Sequence, residues 1–492
     1  MTSPARQPAV WIALFEQSQT DSRSLRERTC SALRQAITAG QLAQGTRLPS
    51  TRTLAGDLGI ARVTAEAAYA QLEAEGYIER RVGDGSYVRV DAARFAGSRA
   101  QTVPHGMATS ALSARGEAIM RGGGCRDPLT PLAFAAGSPD LNAFPLELWN
   151  KLSSKRLRQN GAALLRYGDP QGYLPLRSAL AAYLNQSRGL RCSAEQVLIL
   201  TSSQQALQLI ATLLLDQGDA VWMEEPGYNG AKTAFAAMGA QLLPVPVDAD
   251  GMNPALAPAG SPPRLIYLTP SHQYPTGVPL SLPRRLALLD YAQQQQAWIV
   301  EDDYDSEFQY DGHPLPALQG IDRHGRVLYI GTFSKVLFPS LRLAYLVLPP
   351  GLAERFALAR TVFDGHSAQL PQAITADFIE QGHFAAHLRH MRQLYRSRRD
   401  LLLETLRQQL PALQPLGGIS GGLQLTVQLP PGEETRLTRA AAQAGVATPG
   451  LAGMYLAPAR RDGWVLGYAA LPNAEIVEGV RRLAAQFNTA QA

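Results

Sequence analysis

The stretch Tyr329–Pro349, YIGTFSKVLFPSLRLAYLVLP, sets a lysine and small hydroxyl residues between two apolar runs. Lysine is rare in this chain. Only Lys151, Lys155, Lys232 and Lys335 occur among 46 basic residues, and the others are arginine. The first three stand in polar, helix-like segments, where a solvated amine is expected. Lys335 instead follows VLYIG and precedes LAYLVL, runs that read as buried strands. An amine at such a place can do what a guanidinium cannot, which is to form a Schiff base with an aldehyde.

Working outward, further apolar runs of the same kind occur: QVLIL, AVWMEE, RLIYLT and AWIVED. They alternate with helical stretches, which predicts an α/β domain with a mostly parallel sheet. In such sheets ligands gather at the carboxyl ends of the strands. The polar segments TSSQQ, EEPGY, TPSHQYPTG, EDDYDSEF and GTFSK all follow or close these runs. Asp302, at the end of AWIVED, is suited to hold a pyridine nitrogen protonated, so that the ring becomes an electron sink. Tyr304 is placed to hydrogen-bond a phenolic oxygen, and Tyr228 to stack on the ring. Thr332, Ser334 and Arg342 offer hydroxyls and a guanidinium to a phosphate. Ser203 and Gln204 open a helix whose first amides suit the same anion. Aldehyde, pyridine and phosphate together specify pyridoxal 5′-phosphate. No metal is expected: in DDYDSE, counting from Asp303, Phe308 stands where a calcium loop requires glycine.

The first 90 residues read differently. Ser24 and Glu27 have capping-box spacing at the start of a helix with the apolar stripe Leu25, Cys30, Leu33 and Ile37, closing at Gly40. Ser50 caps a second helix, Gly59 makes a turn, and a third helix runs from about Arg62 to Ala74. YIERR and SYVRV, joined through Asp84-Gly85, predict a two-stranded wing. All eleven basic residues of this segment are arginine, against nine acidic residues. The pattern suits either a helix-turn-helix with a wing or an ordinary helical bundle with a solvated arginine face; on the first reading Arg47, Ser50, Arg52, Arg62, Thr64 and Arg81 are the candidate DNA contacts. Arg80 and Arg89 also lie on the wing, and Arg62 and Thr64 are placed to reach base edges.

At 492 residues with 46% hydrophobic and 18% charged content, the chain has length for several domains and the composition of a globular protein. No apolar run reaches the ~20 residues of a membrane span, and AVWIALF runs directly into polar sequence. Three scattered cysteines suit a reducing compartment, so the expectation is cytoplasmic. The expected division is 1–90, a linker over 91–130 rich in Ala, Gly, Ser and Arg, and 131–490.

The run LRQAITAGQLAQGTRLPSTRTLAGDLGIARVTAEAAYAQLEAEGYIERRVGDGSYV resembles the winged helix-turn-helix domain of the GntR family of bacterial regulators. Ala61 stands where that family usually has a serine. The segments YGDPQGYLPLRSALAAYL, SSQQALQLI, EEPGY, TPSHQYPTG, VEDDYDSEF and GTFSKVLFPSLRLAYLVLP resemble the fold-type I aminotransferases. The combination resembles the MocR/GabR family of pyridoxal-phosphate-dependent transcriptional regulators. This resemblance implies an N-terminal α+β winged domain and a C-terminal α/β domain with a smaller α+β subdomain. It implies Lys335 as the Schiff-base lysine, Asp302 at the pyridine nitrogen, Tyr304 near the phenolic oxygen and Tyr228 against the ring. Thr332, Ser334 and Arg342 then meet the phosphate, and Tyr167 reaches the phosphate of a second subunit in a homodimer.

Two departures separate the chain from catalytic aminotransferases. Their NPTG is YPTG here, with Tyr274 in place of asparagine, and their late-strand arginine is matched by Val465, with Arg460 and Arg461 just upstream. The expected function is therefore a DNA-binding regulator that senses pyridoxal phosphate, or an amine or amino acid reacting with it, with at most a partial transamination half-reaction. The alternative is a working aminotransferase with an appended DNA-binding domain.

Overall fold

A computed structural model describes residues 10–17, 24–81, 83–91, 112–121, 132–260, 262–312 and 316–488. The chain divides into two compact units, Met1–Ala111 and Leu112–Ala492. Among the described residues no helix is long and apolar enough to cross a membrane.

In the first unit, the helix Leu25–Thr38 starts at a full Ser24/Glu27 capping box. Cys30, Leu33 and Ile37 are buried, while Leu25, in the first turn, stays 46% exposed and is not part of the stripe. Ser50 caps the helix Thr51–Leu58, and Gly59 closes it in the left-handed region at φ 63°, where glycine carries no Cβ penalty. The next helix, Arg62–Ala74, turns Ala65, Ala68, Tyr69 and Leu72 into the core. Strands β1 (Ile78–Arg81) and β2 (Gly85–Val88) pair antiparallel, with Ile78 opposite Val88. A helix that the sequence reading did not anticipate, Val10–Gln17, packs on Leu25–Thr38 and buries Phe15.

The second unit is built on an eight-stranded sheet of β3 (Val197–Leu200), β4 (Ala220–Glu225), β5 (Gln241–Asp248), β6 (Gly251–Met252), β7 (Leu265–Leu268), β8 (Trp298–Asp303), β9 (Val327–Thr332) and β10 (Ala344–Val347), in the order β3-β10-β9-β8-β7-β4-β5-β6. The six expected strands are all present. The added β5 carries Pro244 and Pro246, which is why it does not read as a central strand. Strands β5, β4, β7, β8 and β9 are parallel, whereas β10 runs antiparallel to both β9 and β3. The reason lies in the opening stretch: the link from Thr332 to Ala344 is too short to carry the crossover a parallel pair requires. That reversal makes Phe333–Leu343, with Lys335 in it, a bend at one sheet edge. The carboxyl ends of β3, β4, β7, β8 and β9 all meet this edge.

A smaller subdomain pairs β11 (Gln424–Gln428) with β12 (Gly463–Gly467). The helix Asn473–Asn488 packs on Glu434–Gln443 and on the long helix His383–Gln409. Most of the expected linker, 92–111 and 122–130, lies outside the described residues. Within it, however, Ala114–Arg121 is helical and packs on the helix Asn229–Ala237. The Ser113 hydroxyl receives the Gly116 amide at 3.1 Å, a start signal shorter than the periodicity window.

Candidate functional site

Five segments converge at the carboxyl edge of the sheet. Lys335 is half-buried, and among the described residues its ammonium makes no hydrogen bond or ion pair. Its field reaches the carboxyls of Asp302 and Asp305. Gly137, at φ 76°, runs so close that a Cβ there would lie 3.1 Å from Lys335 Nζ and 3.7 Å from Gln424 Oε1. Glycine at this point therefore keeps space open in front of the amine.

Asp302 is the penultimate residue of β8 and is buried. Its Oδ2 accepts the Tyr267 hydroxyl at 2.7 Å, while its Oδ1 is buried with no hydrogen-bond partner. Burial pushes this carboxyl up to about 7, against the Tyr267 hydrogen bond and with help from Asp303 and Asp305. A donor at Oδ1 is the missing element of the site. Glu224, at the end of β4, is likewise pushed up to about 7 by burial, although Thr269 and Gln273 hydrogen-bond to it.

Tyr304 meets His272 Nδ1 at 3.0 Å, and the same nitrogen lies 3.0 Å from Asp305 Oδ2. Burial lowers the affinity of the His272 imidazole for a proton, but the facing Asp305 carboxylate outweighs it and raises its pKa. Tyr304 is thus fixed by a buried His–Asp pair. Tyr274 meets the rings of Tyr228 and Tyr304 at 5.7 and 6.0 Å, near right angles. Neither Tyr267 nor His272 was picked out from the sequence. The histidine stood in a motif already noted, TPSHQYPTG, but its role depends on a carboxylate 33 residues away.

The candidate anion residues occupy the same edge. The Thr332 hydroxyl receives the Ser334 amide at 3.1 Å. Arg342 is exposed and adopts the left-handed conformation at φ 52°, a strained state for a non-glycine residue. Ser203 begins the helix Ser203–Leu214, which Ser202 caps. The Gln204 amide donates to the Gly230 carbonyl at 2.9 Å, leaving its buried Oε1 without a partner. Tyr167 is 96% exposed, with its ring edge-on to His366.

Lys232 corrects the expectation of solvation. It is buried, donates to the Met454 carbonyl and lies 4.0 Å from Glu225; burial lowers its pKa to about 8. Its partners come from outside its own helix, so local polarity could not reveal them. Lys151 and Lys155 are exposed.

On the winged unit, Arg52 and Arg62 are exposed at helix starts, and Thr64 is half-buried one turn into its helix. No side chain caps the helix Arg62–Ala74, because Ala61 occupies the cap position. Arg47 donates to the Asp84 carbonyl, bracing the wing. The Ser50 hydroxyl receives the Thr53 amide at 3.1 Å. Arg81 pairs with Glu79 and lies over Tyr87 at 4.5 Å. Arg80 is held by Glu66 at 3.0 Å and Glu73 at 3.3 Å, so it ties the wing to the helix.

Residues 25–88 match the family of bacterial regulatory proteins of the gntR type, and residues 132–483 match aminotransferase class I and II. The chain is 40% identical to the probable rhizopine catabolism regulatory protein MocR of Rhizobium meliloti, over 92% of each chain. It is 33% identical to the HTH-type transcriptional regulator TauR of Rhodobacter capsulatus, over 94% of this chain and 96% of the relative. Among solved structures it is similar to the alpha-aminoadipate aminotransferase LysN from Thermus thermophilus, complexed with N-(5′-phosphopyridoxyl)-L-leucine. That likeness has a TM-score of 0.68 and 31% identity, and covers 77% of this chain and 96% of the other.

Proposed function

The chain belongs to the aminotransferase class I and II family and carries a gntR-family regulatory domain ahead of it; from that premise we propose that it is a DNA-binding transcriptional regulator whose large domain holds pyridoxal 5′-phosphate and adjusts DNA binding to it. The observation that carries this reading is the buried Asp302 Oδ1 without a donor, at the same sheet edge as the unpaired Lys335 amine. The residues present fit the cofactor: a buried acceptor for a ring N–H, a free amine, and hydroxyls beside a helix N-terminus. When bound, pyridoxal phosphate supplies an aldehyde that condenses with primary amines and a ring that draws electrons.

The chain's own residues divide the remaining work. Lys335 supplies the resident amine. Asp302 holds the ring proton and is itself oriented by Tyr267. Tyr304, fixed by His272 and Asp305, would meet the phenolic oxygen, and Tyr228 would stack on the ring. Ser203, Thr332, Ser334 and Arg342 would hold the phosphate, together with Gln204, which is braced on Gly230. The full exposure of Tyr167, together with the exposed Leu165 and Val362, supports a homodimer in which Tyr167 serves the second copy. Arg47, Arg52, Arg62, Thr64, Arg81 and the capping Ser50 form the DNA-facing set. We propose 1–90 as the DNA-binding domain, 91–130 as the connector and 131–490 as the effector domain, acting in the cytoplasm where the DNA is.

Fluorescence anisotropy on the DNA upstream of its own gene, at fixed salt, with and without pyridoxal phosphate, tests this reading. Specific binding that changes with the cofactor, and no longer changes in Lys335→Ala, is the expected result. No specific binding, together with rapid multiple-turnover transamination, would replace the regulator with an aminotransferase.

A further inference from the structure

Tyr274 and Val465, the two positions that depart from the catalytic pattern, meet in one place. Leu416, Leu451, Met454 and Val465 form a buried apolar cluster, with Ala136, Tyr274 and Tyr455 packed on it. The cluster adjoins the amine: Ala136 precedes Gly137, whose missing Cβ leaves the space before Lys335 Nζ. Across the β11–β12 ladder, Gln424 pairs with Gly467 and Thr426 with Val465. Gln424 Oε1 is buried without a partner, so it offers an incoming molecule an acceptor rather than a cation.

The carboxyls nearest the amine are buried: the Lys335 field reaches Asp302 and Asp305, and Asp302 in turn helps raise Glu224. Arg460 and Arg461 are exposed, and their field is felt at the Tyr455 hydroxyl. A carboxylate brought to Lys335 would meet an apolar wall, an amide oxygen and buried carboxyls. Burying it unpaired costs far more than losing a neutral contact.

Resting on the assignment of pyridoxal phosphate to Lys335, we infer that the effector this site admits is a primary amine with an uncharged tail, and that α-amino acids are rejected. In the exchange, the entering nitrogen takes the carbonyl carbon that Lys335 releases, and its two protons pass to the lysine.

The test uses the full chain loaded with pyridoxal phosphate, titrated with phenethylamine and with L-phenylalanine, which differ only in the carboxylate. Cofactor absorption and anisotropy on the upstream DNA are followed together. The expected half-saturation for the amine is lower by roughly tenfold or more, and Val465→Arg, which returns a guanidinium, shrinks or inverts that ratio. Because Val465 is fully buried, Tyr274→Asn serves as a second variant and is expected to lower the same ratio. Equal half-saturation in the wild type, no response to either compound, or a ratio unchanged in both variants overturns the inference. Failure of borohydride to fix pyridoxal phosphate on Lys335 would instead remove the reading beneath it. A loaded protein without the amine preference sinks the inference alone.

Discussion

Asp302→Asn separates the electrostatic reading of the site from a purely steric one. In the chain without cofactor, the Asp302 carboxyl is pushed from 3.8 to about 7 by burial. The folded pKa lies above the unfolded one, so the folded chain holds the proton more tightly. The cost to stability is absent below about pH 4, grows through the interval, and is complete once pH passes about 7. Roughly three units at ~1.4 kcal/mol each set that cost at up to ~4 kcal/mol. Asparagine keeps an oxygen for the Tyr267 hydroxyl and removes the ionisation. Cofactor-free Asp302→Asn is therefore expected to match the wild type near pH 4.5 and to melt several degrees higher at pH 8. Glu301 and Glu307 are also pushed up to about 7 but act in both proteins, whereas Glu224, raised partly by Asp302, is eased by the substitution and adds to the difference in the same direction. Adding pyridoxal phosphate should reverse the order, because the ring proton now meets a carboxylate in the wild type alone. Thermal melts from pH 4.5 to 8.5, with and without cofactor, read both effects. Parallel melting profiles without cofactor, or equal stabilisation by cofactor in both proteins, would refute the assignment.

Lys335→Ala should leave the fold in place and abolish covalent labelling, seen by intact mass after borohydride treatment with pyridoxal phosphate. Arg62→Ala should weaken operator binding by ~1–3 kcal/mol if the guanidinium grips a base edge, measured by anisotropy; unchanged affinity would mean the helix Arg62–Ala74 does not face DNA bases. Arg80→Ala should lower the melting temperature of the winged unit through loss of its ties to Glu66 and Glu73, by up to ~1 kcal/mol, while leaving the salt dependence of DNA binding unchanged. A smaller salt slope would make Arg80 a phosphate contact instead.

Much of this architecture was legible because it is written locally. Ser24, Glu27, Ser50 and Gly59 act within a few residues of themselves. Strands such as VLIL and LIYL are buried on both faces and so read as unbroken apolar runs. The motifs at their carboxyl ends follow directly in sequence, so the site could be assembled from chain order and the strand rule alone. What escaped depends on distant partners. Tyr267 acquires its role from Asp302, 35 residues on, and Lys232 from Met454, 222 residues on. Arg80 looked available to DNA until Glu66 and Glu73 folded onto it. The short helices Val10–Gln17 and Ala114–Arg121 span too few turns to show a period above the noise of their flanks.

The reversed β10 also sets a timetable for synthesis. The winged unit draws its core from residues that emerge together, so it can form while the ribosome is still working. Strand β3 appears by Leu200, but its only sheet neighbour among the described residues begins at Ala344. At ~5–20 residues per second, the ribosome needs roughly 7–30 s to supply that neighbour. For that interval VLIL, fully buried in the finished protein, is a nascent apolar edge open to pairing with another chain.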